Sequence, residues 1–204
     1  MRLVIASNNK NKVREIREIL GHRFDDVLSM RDAGVSPDTV EDADSFLGNA
    51  RKKALEASLL LPDDAVLADD SGLCVDALGG APGVYSARYA GEGHDDAANR
   101  RKLLEALDGV PYEKRDAHFA CAMVLARGGK SVAEAVGRVN GRILFDERGE
   151  NGFGYDSLFF YEPFGLAFAE IDAERKNAVS HRHNALMLLL AVLDADAEDA
   201  GKAE

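Results

Sequence analysis

Asp69 and Asp70, followed by Ser71 and Gly72, stand directly after the apolar run 65–68. A β-type run that stops at a glycine turn presents its last side chains at a sheet edge, where α/β proteins place ligands. Adjacent aspartates repel each other, and a hard divalent cation bound through oxygens relieves that repulsion. Two acids opening a solvated turn fit the same residues. Two other segments bring positive charge. In the loop Ser7-Asn8-Asn9-Lys10-Asn11-Lys12, between a strand-like run and a helical pattern, helix-start amides and lysine ammoniums make an anion cradle. It lacks the glycines and the Gly-Lys-Ser/Thr ending of a P-loop, and a polar cap with solvated lysines is its plain alternative. Lys52 and Lys53 follow the acidic stretch Glu41-Asp42-Ala43-Asp44. Neighbouring helical residues point about 100° apart, so one of the two lysines faces inward.

Asn151-Gly152-Phe153-Gly154-Tyr155-Asp156 sets an aromatic between two glycines. Glycine lets the backbone approach a flat ligand, and a phenyl face stacks on a nucleobase for about 1–3 kcal/mol. A glycine turn with a core aromatic accounts for the pattern equally well. Lys176, Asn177, Ser180, His181 and Arg182 then gather donors ahead of the last apolar segment. The alternative there is Ser180 as an N-cap with His181 and Arg182 exposed.

The elements that must position these groups follow from periodicity. Residues 2–6 form a buried strand, and Val13, Ile16, Ile19 and Leu20 a helix stopped by Gly21. A helix over 45–61 is capped by Ser45 and ended by Pro62. The 65–68 strand, a turn-rich 79–83 segment and a helix over 95–107 come next. Runs 117–126 and 131–139 flank Gly128-Gly129 as a hairpin, followed by a strand at 157–161 and a helix over 184–193. The acidic residues from Asp194 onward form a frayed, solvated tail. Strands alternate with helices but a hairpin intervenes, which predicts an α/β chain with a mixed sheet flanked by helices.

Of 204 residues, 36 are acidic and 25 basic, a net charge of −11. Nothing supplies a broad basic face, which argues against nucleic acid and anionic membrane as partners while leaving room for a small polyanion. Cys74 and Cys121 are too few for a disulfide framework and sit in apolar company, as buried thiols of a reducing compartment do. The polar residues after Ala6 come too soon for a signal peptide, and no apolar run reaches membrane-span length, so a soluble cytoplasmic protein is expected.

Taken together, these segments resemble the inosine triphosphate pyrophosphatase family. Ser7 to Lys12 is similar to its Thr/Ser-x-Asn-x-x-Lys loop, and Ala68 to Leu73 to its Ala-Asp-Asp-Ser-Gly-Leu signature, continued by VDALGGAPGVYSARYAG. Phe153-Gly154-Tyr155-Asp156 and Ser180-His181-Arg182 match two later motifs in order, so the resemblance runs to about Leu193. It implies one nucleotide pyrophosphatase domain over 1–193 with 194–204 as a tail. Its sheet would be elongated and twisted, in two lobes with the active site in a cleft between them. The implied reaction is hydrolysis of ITP, dITP or XTP to the monophosphate and pyrophosphate. By the same resemblance, Asp70 is the proton acceptor and, with Glu41, a magnesium ligand, with Asp69 supporting that site. Ser7, Asn8, Asn9, Lys10, Asn11, Lys12 and Lys53 line the phosphates, and Ser71 contacts substrate beside them. Phe153, with Gly154 and Tyr155 in its turn, takes the base, and Asp156, Lys176, His181 and Arg182 fix the nucleoside. A homodimer is implied as well. Gly48-Asn49-Ala50 departs from the Glu-Asn-Ala common in relatives, and Ser7-Asn8 from their Thr-Gly.

Overall fold

The computed structural model describes residues 2–20 and 24–202, with side chains through residue 195; Gly21, the expected helix stop, lies outside them. The strands are β1 (Arg2–Ile5), β2 (Asp26–Ser29), β3 (Ala65–Val75), β4 (Asp116–Arg127), β5 (Lys130–Ile143), β6 (Phe159–Tyr161) and β7 (Leu166–Ala167). The α-helices are α1 (Lys10–Leu20), α2 (Phe46–Leu60), α3 (Asp96–Ala106), α4 (Ala173–Asn177) and α5 (His181–Lys202). One sheet runs in the order β2-β1-β3-β4-β5-β6-β7. It is mixed as expected: β1 pairs parallel with β2 and β3, whereas β6 pairs antiparallel with β5 and β7. Gly128 and Gly129, at φ +55° and +76°, supply the two left-handed residues of the tight turn joining β4 to β5.

Two expectations change. The run beginning at Ala65 does not stop at a glycine turn, because β3 continues to Val75 with Gly72 inside it. A Cβ at Gly72 would lie 2.4 Å from Ser86 Oγ and 2.6 Å from the Gly83 carbonyl oxygen, so glycine serves close approach here rather than chain reversal. The last helix is also longer than its apolar periodicity: it starts at His181 and continues through most of the acidic segment to Lys202.

The chain divides into two compact units: Met1–Asp70, Cys121–Gly137 and Arg182–Glu204 in the first, Ser71–Ala120 and Arg138–His181 in the second. The first unit has two apolar layers. Leu3, Ile5, Leu67 and Met123 pack with Val13 and Ile16 of α1 and Leu186 and Leu189 of α5. The alternate residues Val4, Val66, Ala68 and Val124 pack with Ala50, Ala54 and Ala57 of α2. With both faces covered, these strands read as continuous apolar runs. Core of the second unit is aromatic, built on Phe119, Phe159 and Phe168 with Leu73, Leu103 and Leu107. The Phe119 and Phe159 centroids are 4.6 Å apart, those of Phe159 and Phe168 4.9 Å.

Candidate active site

Because side chains alternate along a strand, β3 sends its neighbouring aspartates to opposite faces. Asp69 follows Ala65 and Leu67 into the layer of α1 and α5, and Asp70 follows Val66 and Ala68 into that of α2. An ion shared by the two adjacent carboxylates, the chemistry their closeness in sequence suggested, is not what this strand offers. Their nearest partners differ, although Lys12 and Lys53 act on both carboxylates.

Asp69 is fully buried; its Oδ2 lies 3.1 Å from Lys12 Nζ and 3.3 Å from Arg182 Nη2. Arg182 also pairs with the buried Glu15 of α1. Burial pushes the Asp69 carboxyl up, but Lys12, Arg182 and Lys53 outweigh it and hold the group well below the usual carboxylate range. Burial likewise opposes the charge on Arg182, and Asp69 and Glu15 overcome it and raise its proton affinity. Lys12, Asp69, Arg182 and Glu15 thus form a chain of alternating charges. Glu15 was not anticipated from the sequence. Its signal is an acid three residues after Lys12, on the same side of α1.

Asp70 sits differently. Its Oδ2 accepts from Asn49 Nδ2 at 3.1 Å, and Lys53 Nζ lies 3.9 Å from Oδ1 and 2.9 Å from Glu41 Oε2. Burial lifts the Asp70 carboxyl above its ordinary range, and the pull of Lys53, Lys12 and the Asn49 amide does not bring it back. The α2 helix that carries these partners starts where Ser45 Oγ accepts the Gly48 N–H at 3.2 Å, as expected of a Ser cap. Lys53 faces inward with 13% of its side chain exposed, while Lys52 turns outward to Asp42 at 39%. Asn49 was likewise missed as a functional residue. It is a polar position one residue before the small apolar stripe of α2, and its Oδ1 also accepts the Ala43 N–H at 2.9 Å.

The 7–12 loop caps α1 with its own side chains. Asn9 Oδ1 accepts the Asn11 and Lys12 N–H groups at 2.9 and 3.3 Å, and Ser7 Oγ accepts the Asn9 N–H at 3.2 Å. Asn8, Asn9 and Lys10 are exposed, while Ser7, Asn11 and Lys12 are half-buried.

In the second unit Phe153, Asp156 and Lys176 meet around one turn. Asp156 Oδ2 accepts the Phe153 N–H at 2.9 Å and pairs with the buried Lys176 Nζ at 2.5 Å. That ammonium lies 4.8 Å from the Phe153 ring centroid. Tyr155 is a core residue whose hydroxyl donates to the Ser86 carbonyl at 2.8 Å. Ser71 lies half-buried on β3. His181 stacks on Phe119 at 4.9 Å. His181 and Arg182 are only 5% and 1% exposed, which removes the alternative of two solvated residues behind a Ser180 cap. Arg182 itself belongs to the first unit with Glu15 and Asp69, a set of partners that the spacing of the Ser180-His181-Arg182 motif did not reveal.

Neither thiol resembles a nucleophile. Burial and the Asp69 charge push Cys121 up to about 12, and burial raises the half-buried Cys74. For a divalent cation the fit is better. Glu41 and Asp70 gather oxygen donors around one positive charge, the donor chemistry a hard ion takes. Among the described residues no cluster of three or more His, Cys, Asp or Glu could hold an ion by itself. No helix is long and apolar enough to cross a membrane, among the described residues.

Residues 3–192 match the Ham1 family model. A dITP/XTP pyrophosphatase of Geobacter sulfurreducens is 50% identical over 188 residues, 92% of this chain and 94% of the relative. That of Clostridium tetani is 45% identical over 199 residues, 97% and 98% of the two chains. The solved Ham1 protein of Staphylococcus aureus superposes with a TM-score of 0.84 at 38% identity, covering 96% of this chain and 100% of its own. With the match spanning nearly every element from β1 to α5, the chain belongs to the Ham1 family.

Proposed function

We propose that this chain hydrolyses non-standard purine nucleoside triphosphates, ITP, dITP and XTP, to the nucleoside monophosphate and pyrophosphate, clearing them from the cytoplasmic nucleotide pool. The observation that carries the reading is Asp70. It is a buried carboxylate of raised proton affinity beside Lys53, on a strand whose other aspartate stays firmly ionised. Two acids with environments that push their pKa values apart divide proton transfer from fixed charge. The name dITP/XTP pyrophosphatase borne by relatives at 45–50% identity supports the substrate class.

In this reading the oxygen of a water bonds to the α-phosphorus and Asp70 takes its proton. The bond from the α-phosphorus to the bridging oxygen breaks, and pyrophosphate leaves with the electron pair. Lys12 and Lys53 neutralise charge building on the phosphate oxygens. Ser7, Asn8, Asn9, Lys10 and Asn11 line the phosphates, and Ser71 touches substrate beside Asp70. Glu41 and Asp70 would hold magnesium, which supplies further charge neutralisation and orients the phosphate oxygens. Phe153 is the platform for the base within the Gly154-Tyr155 turn, with Asp156, Lys176 and His181 fixing the nucleoside. A donor at the purine 6-position, from Arg182 or a backbone N–H, favours an oxo over an amino group. Arg182 is read with Asp156, Lys176 and His181 as fixing the nucleoside, and it also pairs with Asp69. Residues 1–193 act as one nucleotide pyrophosphatase domain, and the protein works as a homodimer.

Pyrophosphate release from ITP, XTP and ATP across a magnesium titration tests this. ITP and XTP turnover that needs the metal and greatly exceeds ATP turnover is expected. Orthophosphate as the product, or ATP hydrolysed as well as ITP, would overturn it. Sedimentation velocity reads the dimer.

A further inference from the structure

Every backbone donor and acceptor of Phe153 and Gly154 is bonded. Two of the four bonds are made inside the turn: the Phe153 N–H donates to Asp156 Oδ2 at 2.9 Å, and the Asp156 N–H to the Phe153 carbonyl at 3.2 Å. The other two come from α3. Asp96 Oδ2 accepts the Gly154 N–H at 2.9 Å, and Arg100 Nη1 donates to the Gly154 carbonyl at 2.9 Å. Positions 96 and 100 are one turn apart on the same helix face, so a single rigid element grips both polar groups of one residue. The helix start is itself fixed, with Asp95 Oδ1 accepting the Ala98 N–H at 3.0 Å. Arg100 is held a second time, by Glu147 Oε2 at 2.9 Å from its Nε, and Glu147 accepts from Ser157 Oγ at 2.8 Å.

Gly154 sits at φ +62°, a left-handed conformation that glycine adopts without a Cβ penalty. Asp96 is exposed and Arg100 half-buried.

We infer that Asp96 and Arg100 are positioning residues that set the orientation of the Phe153 ring by clamping the peptide next to it. The inference rests on the reading of Phe153 as the base platform. A platform fixed before the ligand arrives loses less freedom on binding, so the clamp acts on affinity for the base rather than on phosphate chemistry.

The test uses the full chain with Asp96→Ala, Arg100→Ala, Asp96→Asn and Phe153→Ala. Two measurements are made: amide hydrogen exchange at Gly154 without substrate, and steady-state kinetics with ITP and ATP. Each α3 alanine variant is expected to speed Gly154 exchange at least about threefold and to raise KM for ITP about three- to tenfold, with kcat within about twofold. Asp96→Asn keeps an acceptor oxygen and should restore both readouts. Unchanged Gly154 exchange in both alanine variants overturns the clamp directly. Faster exchange with unchanged KM, while Phe153→Ala raises KM, overturns the positioning role. An equal loss of kcat on ITP and ATP with a lowered Tm marks a merely structural role and overturns it too. If Phe153→Ala itself leaves KM for ITP unchanged, the base-platform reading fails, and the positioning role fails with it.

Discussion

The two units solve the problem of holding functional groups in different ways. In the first, the groups are charges on side chains, held by other charges: Lys12 by Asp69, Asp69 by Arg182, Arg182 by Glu15, and Lys53 by Glu41 and Asp70. In the second, the groups are a ring and a turn, held through the backbone by glycine conformations and amide bonds to Asp96, Arg100 and Asp156. Removing one member of the first kind leaves a buried charge exposed to its own desolvation. Removing one member of the second loosens a peptide. The first arrangement should therefore fail steeply and the second gradually.

The sharpest way to break the contrast is Asp70→Asn, which removes the proton acceptor and one proposed metal ligand together. Turnover on ITP is expected to fall by more than the factor of about 10⁴ that general-base action alone supplies, with near-normal turnover refuting the assignment. Next comes Arg182→Ala, which removes a buried guanidinium from between Glu15 and Asp69. A loss of about 3–5 kcal/mol in urea unfolding is expected, and a change under about 1 kcal/mol would mean that the buried set is not what holds this region. Phe153→Ala should be milder and differently shaped, with KM for ITP rising about 5- to 100-fold from lost stacking while the unfolding midpoint moves little. A kcat effect in place of a KM effect would erase the distinction between the two units. The thiols give the smallest readout. Under native conditions iodoacetamide should modify the half-buried Cys74 slowly and leave Cys121 intact, and equal labelling of the two by mass spectrometry would contradict the burial that raises Cys121 to about 12.

Backbone-held features were the ones readable in the chain. The glycines around Phe153 announced a turn, Gly128-Gly129 a hairpin, Ser45 a cap, and the small apolar stripe of α2 its buried face, since each is a local conformational requirement. Gly72 misled for the same reason: glycine signals both a turn and a close approach, and only the Ser86 hydroxyl lying against it tells which applies. The short β2 was invisible because its four residues carry little pattern and owe their pairing to β1. Charges held by distant charges were hardest. Arg182 and Glu15 are 167 positions apart, and nothing near either residue announces the other. The opposed directions of Asp69 and Asp70, by contrast, follow from strand alternation alone once β3 is known to run through them.

That alternation carries a consequence for how the sequence can vary. Two consecutive codons serve two different environments, so deleting or inserting a single residue upstream in β3 would turn each aspartate to the opposite face of the sheet. A point substitution changes one of these environments at a time, whereas a shift in the length of this strand changes both at once.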